Sequence, residues 1–228
     1  MLRELRAFWA GEAAAIPMRV LVVEQAPGLP FNRGALLNIG FALLAPETDY
    51  TCLHDVDRVP VVADYGWPDR PSMIIHHGLP LKPHVIRQLL SSVVLIQNQH
   101  FAAANGFSNQ YWGWGYEDVD LRERLLRRGL PAEHREGVFR SLPHPDLGSA
   151  ADGTPRPVAL HNRAIFLERW FEAVGPGWRR RAVSSHPWHE EGLNSLDYAT
   201  LEPRRTLSAD AHPVEHVMVD LPDITPAR

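Results

Sequence analysis

Ten consecutive residues, Tyr111-Trp112-Gly113-Trp114-Gly115-Tyr116-Glu117-Asp118-Val119-Asp120, combine the two kinds of side chain that handling a sugar requires. Aromatic faces stack on the apolar side of a pyranose, and the glycines flanking Trp114 let the backbone rearrange around it. The carboxylates Glu117, Asp118 and Asp120 sit at the expected start of a helix running to Arg128, where a carboxylate can accept a hydroxyl proton. The same charges also suit a helix with no chemistry, because Arg124, Arg127 and Arg128 complement the opposite end of its dipole. The Trp-Gly-Trp-Gly ahead of them favours the sugar-site reading.

A second candidate is His54-Asp55-Val56-Asp57, which follows an expected strand at Tyr50 to Leu53. Side chains alternate along a strand, so Asp55 and Asp57 project to one side if the extension persists that far. Phe31-Asn32-Arg33 occupies a comparable place after another strand.

Alternating strands and helices must position these groups. Leu2, Leu5, Phe8 and Trp9 recur at helical spacing. Met18 to Val23 is an apolar, β-branched run of the kind buried in a parallel sheet. A helix carrying Leu36, Leu37, Phe41 and Leu44 completes a βα unit. Prolines and glycines from Val59 to Pro83 predict loops around a brief Met73 to Ile75 strand. A strand at Val93 to Ile96 and a short helix near Gln99 to Ala104 follow. Gly129 suits a helix stop, and the Ala-, Gly- and Pro-rich stretch to Pro157 reads as a lid. Ala164 to Val174 has helical character, and Val214 to Val219 closes as a strand. The pattern is that of an open α/β sheet, whose ligands sit beyond the carboxyl ends of its strands. The expected organisation is a single catalytic domain over 1–228, with a nucleotide-sugar and Asp-x-Asp half at 1–130 and an acceptor and lid half at 131–228.

Composition narrows the class. The 228 residues are 45% hydrophobic, enough for a full core, and a formal charge of −4 gives no basic field for nucleic acid or acidic membranes. Cys52 is the sole cysteine and Lys82 the sole lysine. An internal disulfide is therefore excluded, and so is lysine Schiff-base or P-loop chemistry away from Lys82. No run approaches the roughly 20 apolar residues of a membrane span, and the expectation is a cytoplasmic protein without a transmembrane segment.

In order and spacing, Phe31-Asn32-Arg33-Gly34-Ala35-Leu36-Leu37-Asn38, Tyr50-Thr51-Cys52, Asp55-Val56-Asp57, Asn105-Gly106-Phe107, Tyr111 to Asp120 and Gly192-Leu193-Asn194-Ser195-Leu196 resemble the β-1,4-galactosyltransferase family. A lone Asp-x-Asp occurs by chance in many chains, so the ordered set carries the resemblance, from about Met18 to near Val219. It implies a glycosyltransferase A-type, Rossmann-like α/β fold, with an open mixed, mostly parallel sheet and flanking helices. It also implies a UDP-sugar donor, manganese, a carbohydrate acceptor and transfer with inversion at the anomeric carbon.

The resemblance assigns roles residue by residue. Asp118 becomes the general base and Glu117 the second catalytic carboxylate, holding the acceptor together with Tyr111, Trp112 and Asp120. Phe31 and Arg33 contact the nucleotide, Asp55 and Val56 lie by the donor ribose, and Trp114 closes over the donor. Asp57 and His144 become metal ligands. Aligning Ser91-Ser92 with paired glycines of the family places Leu89 where a tyrosine restricts the donor to galactose, so UDP-N-acetylgalactosamine is expected alongside UDP-galactose. The chain departs from the family in three ways. It lacks a Pro-Phe-Arg-Asn-Arg nucleotide-binding block and its strand, the expectation being a short, bacterial-type member. Val119 replaces a carboxylate, so the acceptor need not be N-acetylglucosamine. Ser141 and Leu142 stand where a third metal ligand is usual. Two other classes stay open: a non-catalytic nucleotide-sugar or glycan-binding remnant, and a metal-dependent hydrolase using His54, Asp55, Asp57, His76, His77, His144 and His161.

Overall fold

The computed structural model describes residues 2–11, 16–76, 90–143, 148–173, 180–182, 186–208 and 214–222. A three-stranded sheet holds β1 (Val20–Gln25) parallel to β10 (Val214–Asp220), which pairs antiparallel with β9 (Ala199–Ser208). A five-stranded sheet has the order β2 (Tyr50–His54), β5 (Val93–Gln97), β4 (Ser72–His76), β6 (Glu133–Ser141), β3 (Arg58–Ala63). Its β4–β6 pairing is parallel and the rest antiparallel. The strands β7 (Phe171–Ala173) and β8 (Arg180–Ala182) form a small ribbon.

The fold class is α/β as expected, but the sheets are mixed rather than mostly parallel. Parallel neighbours need a crossover of a dozen or more residues, whereas β9 and β10 are separated by five residues and meet as antiparallel partners. Five of the described strands are invisible to hydrophobic patterning: β7, which takes residues expected to be the end of a helix, its partner β8, and β3, β6 and β9. β3 contains Pro60, which removes a ladder donor; the strand tolerates it because it is a sheet edge, with a register shift between Pro60 and Val62. β9 is also an edge and carries Pro203. β6 reads Glu-His-Arg-Glu-Gly-Val-Phe-Arg-Ser and buries chiefly Gly137 and Phe139.

Helices fill the two sheets. In α1 (Leu2–Gly11) the buried Leu5, Phe8 and Trp9 pack with Tyr65, Ile74, Val93, Leu95 and Phe139. Among the described residues the other α-helices are α2 (Arg33–Leu44), α3 (Asn98–Ala103), α4 (Glu117–Arg127) and α5 (Pro157–Trp170). α5 starts earlier than expected because Pro157 supplies the pre-set φ of a first helical position.

α2 is apolar on most faces because it has two cores to serve. Ala35, Leu36 and Ile39 pack with Val217 and Val219, while Phe41 packs with Leu53, Ile96, Phe101, Phe107, Leu121 and Leu125. Two asparagines with no exposed surface interrupt this apolar helix region. Asn32 caps α2 by accepting from the Ala35 N–H at 3.0 Å, and its amide donates to the Asn109 carbonyl at 2.8 Å. Asn38 donates to the Phe107 carbonyl and to Asn109 Oδ1, both at 2.9 Å, and accepts from the Phe107 N–H at 2.9 Å. These bonds fix the 105–109 segment, and the tryptophan loop after it, to α2.

Replacing Asn38 by Ala orphans the Phe107 N–H and C=O and Asn109 Oδ1 in a dry site. Urea unfolding should show a loss of roughly 2–4 kcal/mol at unchanged m; a loss below about 1 kcal/mol would show that the amide does not secure this joint.

Candidate active site

A cavity of about 1170 Å³ is walled by β1, α2 and β2 and reaches the 55–57 turn and the 113–119 segment. Phe31, Arg33, Asp55, Val56, Asp57, Trp114, Glu117 and Asp118 all line it. Carboxylates separated by 60 or more positions in the chain thus share one space.

The two aspartates reach it by a different route from the one expected. β2 stops at His54, and Asp55-Val56-Asp57 is a turn closed by the Arg58 N–H donating to the Asp55 carbonyl at 3.2 Å. The Leu142 N–H donates to the Asp57 carbonyl at 2.8 Å, so β6 delivers the chain beside Asp57. His144, two residues on, lies outside the described residues, as does Leu89. Among the described residues no group of three His, Cys, Asp or Glu side chains is arranged to hold a metal. Asp57 alone represents the expected pair.

Arg33 ties the two sides together. Its guanidinium meets Asp55 Oδ1 at 2.7 Å and Glu117 Oε1 at 3.3 Å. Burial opposes its charge, but Asp55, Glu117 and Asp118 outweigh that and raise its pKa. At the start of α4, burial and the Asp118 charge push Glu117 up to about 7, against the pull of Arg33. Burial likewise raises Asp118, opposed by Arg33, by the Val119 N–H it accepts from and by the Ser91 side chain. The Asp55 N–H donates to the Ser92 carbonyl at 2.8 Å. The Ser91-Ser92 step therefore touches both the turn and α4, and Ser92 adopts φ +67, a left-handed conformation that favours glycine.

The tryptophan loop is left-handed at three of four successive residues, Gly113 (φ +80), Gly115 (+91) and Tyr116 (+75). One face of α5 holds it, through residues four apart. Val158 occupies the space a Cβ on Gly113 would need, and Asn162 donates to loop carbonyls. Phe166 packs on Tyr116, and Trp170 donates to Asp120 Oδ2 at 2.8 Å. The Gly113 N–H donates to the Phe31 carbonyl at 2.7 Å. Trp114 is 45% exposed, with its ring 2.6 Å from where a Cβ on Gly148 would lie.

Of the expected acceptor contacts, Tyr111 lines the cavity while Trp112 and Asp120 do not. Asp120 has no exposed surface, and its oxygens take bonds from Arg124 (2.6 Å), Trp170 (2.8 Å), Tyr111 (3.0 Å) and Arg169 (3.4 Å). Burial would raise its pKa, but the arginines and these donors hold it below the usual range. The Tyr111 hydroxyl is committed to that carboxylate. Trp112 is buried against Ala35, Leu36, Ile39 and Val217. A buried charge needs donors on every side, so the third carboxylate of the motif faces inward while the first two face the cleft. Glu191, which sequence reasoning missed, extends this network. Its carboxylate accepts from Arg124 at 2.8 Å, from Ser108 at 3.0 Å and from the Asn109 N–H, anchoring the Gly192-Leu193-Asn194 block.

Known proteins match the chain on both sides of the cleft. A family model described as the N-terminal region of glycosyl transferase group 7 matches residues 5–65, and one described as the N-terminal domain of galactosyltransferase matches residues 82–145. β-1,4-Galactosyltransferase 7 of Mus musculus is 34% identical over 140 residues, covering 57% of this chain and 42% of the relative. β-1,4-Galactosyltransferase 1 of Homo sapiens is 32% identical over 194 residues, covering 82% of this chain and 44% of the relative. The chain spans less than half the length of these curated relatives.

Among solved structures, the catalytic domain of Drosophila β-1,4-galactosyltransferase 7 in complex with xylobiose superposes with a TM-score of 0.71 at 22% identity, covering 97% of this chain and 87% of that one. A mutant of that enzyme in complex with manganese, UDP-Gal and xylobiose gives 0.70 at the same identity. That likeness shows the fold. The chain belongs to the β-1,4-galactosyltransferase family. The relatives named are animal proteins and lend no support to a bacterial-type label. They also overturn the cytoplasmic expectation, since such homologues are type II membrane enzymes of the Golgi. No described helix is long and apolar enough to cross a membrane.

Glu117 has a folded-state pKa above its ordinary 4.5, so its contribution to stability is fully present below pH 4.5 and is lost as pH rises through about 7. Glu117→Gln removes that titration. Between pH 4.5 and 8 the stability difference should move in favour of the variant by roughly 1–3 kcal/mol, read by denaturant titration at each pH. A difference flat across that range would show that Glu117 ionises normally.

Proposed function

We propose that the chain is a manganese-dependent inverting glycosyltransferase that moves galactose, or N-acetylgalactosamine, from a UDP-sugar to a sugar hydroxyl. The observation that carries this reading is the shared cleft of Asp57 and Asp118. It is supported by the family and by a neighbour of the same fold in complex with manganese, UDP-Gal and xylobiose.

Asp118 acts as general base: its carboxylate takes the proton of the acceptor hydroxyl while that oxygen attacks the donor's anomeric carbon from the face opposite the departing diphosphate. Burial strengthens it as a base by raising its pKa. Glu117 holds the acceptor beside it. Phe31, half exposed at the cleft, offers a ring for the base, and Arg33 offers a charge-assisted donor to the nucleotide. Asp55 and Val56 line the ribose side. Trp114 covers the donor and excludes water that would hydrolyse it. Carboxylate oxygen suits manganese, and the partly exposed Asp57 carboxylate at the cleft fits that requirement. Asp57 with His144 would hold the ion, which supplies positive charge to the leaving diphosphate.

Calorimetric titration of UDP should give binding that depends on manganese, with that dependence lost in Asp57→Asn. Asp118→Asn should keep UDP binding and lose transfer by about 10²-fold or more. Manganese-indifferent UDP binding in both proteins would sink the metal assignment; undiminished transfer in Asp118→Asn would sink the base. The donor range is read separately from initial rates with UDP-galactose and UDP-N-acetylgalactosamine, where no turnover of the acetylated sugar would remove it from the donor range.

A further inference from the structure

The tryptophan loop is held by one side chain whose bonding is lopsided. Asn162 is 1% exposed on α5, and its Nδ2 lies 3.0 Å from the Trp112 carbonyl, 2.9 Å from that of Trp114 and 3.1 Å from that of Gly115. Three carbonyl oxygens identify that end as the NH2 group. An amide has two hydrogens, so three acceptors share two donors. The other end has the opposite imbalance, since Asn162 Oδ1 is buried without a hydrogen-bond partner among the described residues.

We propose that Asn162 is the positioning residue that sets the conformation of the Trp114 loop, gripping it by its carbonyls in this arrangement and offering the vacant Oδ1 to a loop N–H when the loop moves. One carbonyl can leave without emptying the donor, because the grip is over-subscribed. An unfilled buried acceptor is unfavourable, so this arrangement lacks a bond that a second one can make. Gly115 suits that exchange: it sits in the left-handed region, and a Cβ there would meet nothing within 4 Å. Neighbouring contacts confine the movement to the loop. Val158 packs against Gly113, Phe166 packs against Tyr116, and the Gly113 N–H is already committed to Phe31.

The consequence for turnover rests on the glycosyltransferase reading above, and the test separates the two. Label the chain with 5-fluorotryptophan and assign the Trp114 resonance with Trp114→Phe. Asn162→Asp keeps the side-chain volume and turns the donor into an acceptor facing three carbonyls; Asn162→Ala removes both ends. In each, the Trp114 resonance should move by more than its linewidth or split, with Trp112 free to shift because its carbonyl is released as well, while the resonances of Trp9, Trp67 and Trp188 stay in place. With a UDP-sugar and acceptor, transfer should fall about tenfold for each lost bond equivalent, while UDP binding is retained and hydrolysis rises as a share of turnover.

An unmoved Trp114 resonance in both folded variants overturns the proposal. Collapse of all seven resonances in both does so too, because Asn162 would then be holding the whole chain and not its loop. The resonance experiment needs no substrate, so a wild-type chain without transferase activity would refute the function while leaving the clasp to stand or fall on its own spectrum.

Discussion

A carboxylate shut away from water has to be surrounded by donors, and the surroundings of Asp120 decide how the rest of the site is held. Arg124 comes from the same helix, Tyr111 from the segment before it, and Arg169 and Trp170 from the end of α5. Removing one partner from such a buried set costs about 3–5 kcal/mol, since the remaining charge is left uncompensated. The cluster thus forces α4, α5 and the tryptophan segment to assemble together or not at all. Glu191 brings the Gly192-Leu193-Asn194 block into the same arrangement through Arg124. Glu117 and Asp118 then stand at a helix start whose position is set by charges they do not themselves share.

Those two face a different electrostatic problem. They are neighbours, both largely buried, with Asp55 across the cleft and Arg33 between. Burial raises all three carboxyls; at Glu117 and Asp118 the single guanidinium of Arg33 does not offset it, whereas at Asp120 two arginines and further donors do, so the first two shift upward and the third downward. The difference is one of donor count. Asp120 is surrounded by two arginines, an indole and a phenol, whereas the cleft pair has Arg33, a serine and backbone amides. A site left short of positive charge is suited to taking it from what binds there.

Much of this was legible in the chain. The apolar runs of β1, β2, β5 and β10 and the periodicity of α1 and α2 stand out because their neighbours bury one face or both. Patterning failed where burial is shallow: β3 and β9 are edges that admit proline, and β6 is polar for most of its length. It also failed at α5, whose Val158, Asn162, Phe166 and Trp170 recur every four residues with an asparagine inside the stripe. A polar residue on a buried stripe breaks a hydrophobic template, yet that residue is the one gripping the loop. Grouping the cleft residues needed motifs rather than periodicity. No period distinguishes Asp118, which faces the cavity, from Asp120, which faces the arginines; only the turn of the helix between them does.

Tyr116, the residue that joins loop to helix, has φ +75 without being glycine, a conformation disfavoured by roughly 1–2 kcal/mol. A left-handed residue interrupts the ladder of a right-handed helix, so α4 is barred from growing backward by even one turn. The helix start, and Glu117 with it, is thereby kept separate from the backbone that carries Trp114. The strained tyrosine works as a boundary post between two backbone regimes, left-handed turns on the tryptophan side and a regular helix on the carboxylate side.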